Sequence, residues 1–212
     1  MAPPATRPAS IPDGAAVAAA QALAQSCQTI TELTEATRNF DGCGLRATAK
    51  SLVFADGNPE ARVMFVSDVP GREDDLEGKL FAGPAGLLFD RMLGSIGLGR
   101  GSAYLGMMIP WRPPGNRAPT PFEIDVCLPF IQRNIELAAP EILVLVGELP
   151  AKRITGASES ILRLRGQWRD VTLASGAKSL ALVMLHPGYL MKQPAQKRLA
   201  WADLLALKGR LN

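Results

Sequence analysis

A parallel β-sheet carrying helices on both faces is the fold class that this 212-residue chain predicts. Three observations predict it. Four short apolar runs recur, each the length of a buried strand and too short for a helix. Each gives way to turn residues and then to a helical pattern, and strands alternating with helices imply parallel pairing with crossover helices. Finally, 47% hydrophobic residues in a chain of this length fill one domain and leave nothing for a second.

Met1 to Pro12 carries four prolines among small residues, so residues 1–12 are expected to be a disordered lead-in to a single domain spanning 13–212. Asp13 suits the cap of an alanine-rich helix running toward Arg38, after which Gly42 and Gly44 open a turn. Arg62 to Val66 is the first strand, and Ser67-Asp68-Val69-Pro70-Gly71 ends it. A helix over Ala85 to Ile96 places Leu87, Leu88, Met92 and Leu93 on an apolar face, and Gly97 and Gly99 stop it. The second strand, Ala103 to Met108, leads into a proline-rich loop. Thr120-Pro121-Phe122-Glu123 is a capping box with proline at the first helical position, predicting a helix to about Ala138. Ile142 to Val146 is the third strand, and Gly147 releases it into a helix from about Leu149. Leu180 to Leu185 is the fourth, and Pro194 to Leu207 forms the last helix.

Charge and cysteine usage narrow the function classes. Ala151 to Asn212 carries eleven Lys or Arg against three Asp or Glu, a surplus of +8 in a chain whose net charge is only +3. Basic charge gathered in one portion suits a face that meets a polyanion, and a solvated basic helix surface is the competing account. The three cysteines, Cys27, Cys43 and Cys127, form no CxxC pair, which argues against a disulfide framework and against a complete four-thiolate site. No stretch approaches the ~20 apolar residues that cross a bilayer, and the start lacks a basic and hydrophobic leader. A cytoplasmic protein with no membrane partner is expected.

All four strands of a parallel sheet end on one edge, and ligands bind there. The unusual residues collect in those ends. His186, the one histidine of the chain, follows the fourth strand, where Pro187 stops the run. Phe81, within Leu80-Phe81-Ala82-Gly83-Pro84-Ala85-Gly86, offers a flat face for a base, although a core phenylalanine beside a Gly-Pro turn explains the same residues. Arg112-Pro-Pro-Gly-Asn-Arg117 is a stiffened loop with two guanidinium groups, suited equally to phosphate contact or to a plain surface turn. Met191, Lys192, Gln193, Lys197 and Arg198 put cations beside an apolar tip just after His186, as a wedge filling the hole left by an extruded base requires. Helix capping is the other reading.

Taken in order, these blocks resemble the uracil-DNA glycosylase superfamily, and its family 4 branch in particular, across roughly Cys43 to Leu207. The resemblance is carried by Val66-Ser67-Asp68-Val69-Pro70-Gly71 with Glu73-Asp74-Asp75, by the Phe81 to Gly86 block, by Arg112 to Arg117, by Leu164-Arg165-Gly166 and by His186-Pro187-Gly188-Tyr189-Leu190. It implies a three-layer α/β/α sandwich around a central four-stranded parallel sheet, in a monomer of bacterial cytoplasmic type. It also implies a partner, uracil-containing DNA, single- or double-stranded, whose deoxyuridine is flipped out and whose base is excised to leave an abasic site. In this reading the catalytic residues are His186, near uracil O2, with Asp68 and Asp74. Phe81, Val69, Met107 and Gly71 bind the base, and Arg112, Asn116, Arg117, Met191, Lys192, Gln193, Lys197 and Arg198 bind the DNA.

Departures from the pattern are specific. Ser67 and Val69 add bulk where the family reads Gly-Glu-Ala-Pro-Gly, and Asp68 and Asp74 are shorter than the usual Glu. Met107 aligns with an asparagine that reads the polar edge of uracil, and a thioether offers at most a weak acceptor. Only Cys43 and Cys127 match the four cysteines of the family's 4Fe-4S cluster, with Phe40 and Trp111 at the other two positions, so the cluster is expected to be absent. Three functions follow in order: a glycosylase for uracil or a related deaminated base, a homologue that binds DNA or a repair partner without cutting, and an enzyme for another nucleotide substrate.

Overall fold

The computed structural model describes residues 13–211, so the expected lead-in over residues 1–12 lies outside the described residues. Six strands form one sheet in the order β1-β3-β2-β4-β6-β5. Its centre is the four parallel strands β2 (Val63–Ser67), β3 (Tyr104–Met107), β4 (Ile142–Val146) and β6 (Lys178–Met184). These are the four apolar runs of the sequence, and β2 and β4 are buried at every position, as strands covered on both faces must be. Two antiparallel edge strands were not legible: β1 (Ala55–Gly57) pairs β3, and β5 (Trp168–Thr172) pairs β6. Both are short or half-polar, and their pairing is set by the neighbouring strand rather than by an apolar pattern of their own.

Period-two alternation divides the core. Met64 and Val66 face a layer with α1 (Asp13–Ser26), α2 (Ile30–Asn39), α5 (Pro121–Ala138) and α6 (Glu148–Thr155). Val63 and Phe65 face the other layer, with α4 (Gly83–Ser95), α8 (Pro187–Lys192) and α9 (Lys197–Leu211). Short helices α3 (Arg72–Glu77) and α7 (Ile161–Leu164) complete the chain. The long first helix expected toward Arg38 is two helices, because Thr29 caps a new start and its hydroxyl accepts from the Glu32 amide at 3.1 Å. The expected last helix likewise opens with a 3-10 turn over Pro194–Gln196. The Thr120–Glu123 capping box forms as read: Thr120 accepts from the Glu123 amide, and the Glu123 carboxylate accepts from the Thr120 amide at 2.7 Å. Among the described residues no helix is long and apolar enough to cross a membrane.

Strand β2 lies between β3 and β4, and the chain leaves β2 toward one side and returns on the other. The carboxyl ends of β2 and β4 therefore flank the point where strand order reverses, the place where open α/β sheets hold ligands.

Candidate active site

His186 ends the chain leaving β6 and serves as the N-cap of α8. Its Nδ1 accepts the Gly188 amide at 3.0 Å, so a neutral ring must carry its proton on Nε2. Burial pushes the imidazole pKa down to about 4. The ring is thus a neutral, oriented N–H donor at physiological pH. Phe81 stands beside it, with ring centroids 5.7 Å apart and a tilt of 31°.

Phe81 is 4% exposed and its ring stacks on Phe89 at 4.0 Å. Its φ of 51° lies in the left-handed region, which a phenylalanine avoids. Two features hold it there. A Cβ on Gly86 would come within 1.6 Å of the Phe81 carbonyl oxygen, so only glycine lets the start of α4 pass under this turn. The Arg100 guanidinium, fixed by Asp56 at 2.7 Å and Asp90 at 3.0 Å, donates to the carbonyls of Leu80 and Phe81, each at 2.8 Å. Arg100 carried no signal in the sequence, because its role depends on four acceptors that are remote along the chain. Arg100→Met is expected to release the Phe81 turn and raise KM for a base-flipping substrate about tenfold, the worth of one charge-assisted contact network of ~1.5 kcal/mol. An unchanged KM in steady-state kinetics would remove Arg100 from the positioning of Phe81.

Both candidate carboxylates are committed to backbone. Asp74 accepts from the Gly71 amide at 2.7 Å with one oxygen and from the Ala82 amide at 2.7 Å with the other, tying the loop after β2 to the Phe81 turn. Burial raises its pKa against the pull of those two donors. Asp68 accepts from the Leu149 amide at 3.2 Å at the start of α6, and a Cβ on Gly147 would fall within 2.5 Å of its carboxylate, so Gly147 leaves the space that the acid occupies. The positions of Asp68 and Gly147 are the carboxyl ends of β2 and β4, meeting at the switch point.

Burial pushes the Asp68 pKa up to about 7. Its folded state therefore holds a proton that the unfolded chain releases near 3.8, and stability must fall as pH rises through that window, by up to ~1.4 kcal/mol per pH unit. Asp68→Asn is expected to melt higher than the parent at pH 8 and to lose that advantage at pH 4, as read by thermal denaturation. An advantage of equal size at both pH values would show that Asp68 stays charged in the fold.

The remaining residues fall into three groups. Met107 is 1% exposed, within β3 and opposite Ser67, where it packs in the same apolar layer as Phe81. Ser67 is buried and its hydroxyl has no partner among the described residues. Val69 is half-buried against the opposite layer. Gly71 caps α3. In the proline-rich loop the cations are spoken for: Arg117 forms a two-pronged pair with Glu123 at 2.6 and 2.8 Å, and Arg112 donates to Asn116 at 2.8 Å. That loop is braced internally. Met191, Lys192, Gln193, Lys197 and Arg198, by contrast, lie together across the end of α8 and the start of α9, and all are exposed.

Comparison with known proteins identifies relatives of the chain. A family model described as "Uracil DNA glycosylase superfamily" matches residues 54–205. A type-4 uracil-DNA glycosylase of Archaeoglobus fulgidus is 35% identical over 156 residues, 72% of this chain and 78% of its own length. Those of Saccharolobus solfataricus and Thermotoga maritima are each 31% identical, over 85% and 84% of this chain and 85% and 92% of their own lengths.

These relatives correct one expectation, that no cluster is bound. They are type-4 enzymes, the branch in which the resemblance implies an iron–sulfur cluster. The expectation rested on a tally of thiols, and such a tally limits which side chains ligate iron without fixing what else completes a coordination shell. Cys43 and Cys127 do come together, buried, with a shared hydrogen bond that lowers the Cys43 thiol and raises Cys127. Phe40, Trp111 and Phe130 pack in the same layer around them. Among the described residues no group of three or more His, Cys, Asp or Glu could hold a metal. The residues present do not by themselves fit a four-thiolate cluster.

Proposed function

The chain belongs to the uracil-DNA glycosylase superfamily, and on that premise we propose that it excises uracil, or a related deaminated base, from DNA by hydrolysis of the N-glycosidic bond. The observation that carries this reading is the pairing of a neutral imidazole, proton on Nε2, with the Phe81 ring 5.7 Å away. A base turned out of the stack is read against an aromatic face, and the group that leaves needs a donor where its charge develops.

In the proposed reaction the C1′–N1 bond breaks and its electron pair departs with uracil. The His186 Nε2–H donates to uracil O2 as that oxygen becomes negative. Water bonds to C1′, and the proton it loses balances the uracil anion. Because the donor is already neutral and oriented, nothing must be reorganised when charge develops. Asp68 and Asp74 act as positioning residues in this reading. Asp74 joins the two loops that border the base, and Asp68 joins the loop after β2 to α6. Val69 and Gly71 line the approach, and Met107 offers shape without a polar contact. The cationic surface of Met191, Lys192, Gln193, Lys197 and Arg198 grips the backbone, with Arg112, Asn116 and Arg117 stiffening the facing loop.

Uracil-containing single- and double-stranded oligonucleotides, incubated with the protein and treated with alkali, test the reading through cleavage at abasic sites. Cleavage at uracil supports it. The second reading, a DNA-binding homologue that does not cut, is favoured by Met107, which is 1% exposed and has no amide to read the base edge. Salt-sensitive binding without cleavage would support that alternative, since phosphate contacts outlast the chemistry.

A further inference from the structure

Beyond the Phe81 and His186 pair, α4, α8 and α9 border a hollow. It has a volume of about 270 Å³ and is lined by Leu88, Arg91, Met92, Leu190, Lys197 and Trp201, among others. Its lining includes two cations and no acid. Trp201 is 45% exposed, unusual for the largest apolar side chain, and Met191, 46% exposed, follows Leu190 at its rim. Arg91, Lys192, Lys197 and Arg198 form no ion pair among the described residues, whereas Arg100, Arg117 and Arg165 all do.

The hollow is tied to the active site through two helices. α4 begins two residues after Phe81 and carries Arg91 to the groove, about 12 Å further along its axis. α8 begins directly after His186 and supplies Leu190. A volume below the ~300–1,000 Å³ of clefts for drug-sized ligands suits one planar group. A flat indole flanked by unpaired cations matches a base on one side and its phosphates on the other.

We propose that this groove is a stacking subsite for one unpaired base of single-stranded DNA flanking the everted nucleotide, with Trp201 as the platform and Arg91 and Lys197 on the phosphates. The inference rests on the DNA-glycosylase reading and deepens it. A base within a duplex is already stacked and paired, so the subsite favours single strands.

A fluorescein-labelled dT 12-mer, free of uracil, is the probe, titrated at one fixed salt concentration. The parent protein is expected to bind it with quenching of tryptophan emission. Trp201→Ala is expected to lose that quenching and to bind about tenfold more weakly, and Trp201→Phe to recover most of the affinity. Arg91→Ala should lower the slope of log affinity against log salt by about 0.7, one phosphate contact on a single strand. Equal affinity for the parent and Trp201→Ala overturns the subsite, and if the parent still excises uracil, the glycosylase reading stands without it. A parent that neither binds the 12-mer nor excises uracil overturns both.

Discussion

Replacement of His186 by alanine is expected to lower kcat/KM for uracil excision by about 10²–10³, the usual cost of removing one preorganised donor from a developing oxyanion. The size follows from the geometry. The ring is held by the Gly188 amide at 3.0 Å, so Nε2–H is the only proton that a neutral imidazole can offer. Loss in kcat with little change in KM would mark an interaction made only as the bond breaks. The pH dependence separates this role from that of a charged imidazole. Burial keeps the pKa near 4, so the contribution of His186 is present above that value and does not fade through pH 6.5. Activity that falls as pH rises through about 6.5, a fall absent from His186→Ala, would overturn the neutral donor. A limb near 7 that vanishes in Asp68→Asn would instead report the carboxylate.

Arg165→Met is expected to be the most destabilising of these substitutions, by about 3–5 kcal/mol, because it strands a buried charge. Asp203 on α9 has a side chain that is 0% exposed, and Arg165 meets both of its oxygens while also donating to the Leu199 carbonyl at 3.1 Å. The bridge fastens the turn after α7 to the helix that walls the Trp201 groove. Calorimetry should show a melting temperature lower by roughly 10 °C. The double variant Arg165→Met, Asp203→Leu should recover much of the loss, since replacing both partners removes the unpaired charge. Failure of the double variant to recover would mean that packing of the guanidinium, not the charge, is what holds the turn.

These two residues also measure how far the sequence could be read. His186 was legible because one imidazole after a buried run and before proline can hardly be anything but the end of a strand. Arg165 was visible only as part of a Leu-Arg-Gly block, and its partner, 38 residues away, left no trace in the pattern. The four parallel strands were legible because burial on both faces demands unbroken apolar runs. The edge strands β1 and β5 were not, because one side of each has no neighbour to demand such a run. Asp68 and Asp74 were recognisable as acids in the right loop. Their engagement with the amides of Leu149, Gly71 and Ala82 depends on which way each side chain turns. Arg117 was legible as a cation in a proline-stiffened loop suited to phosphate, and the fold pairs it with Glu123. Lys197 and Arg198, legible as cations beside an apolar tip, form no ion pair among the described residues.

By itself the sequence determined the order of the four parallel strands and of the main helices between them, the sheet edge at which loops converge, and the identity of the one imidazole and one phenyl ring available there. Local propensity and apolar periodicity carry that information within a dozen residues. Tertiary structure alone decided which proton the imidazole offers, which cations stay unpaired, and that Arg100 and Gly86 hold Phe81 in a conformation it would not choose. Each of those outcomes is a contact between segments distant in the chain, and such contacts come into being only when packing brings their partners within reach.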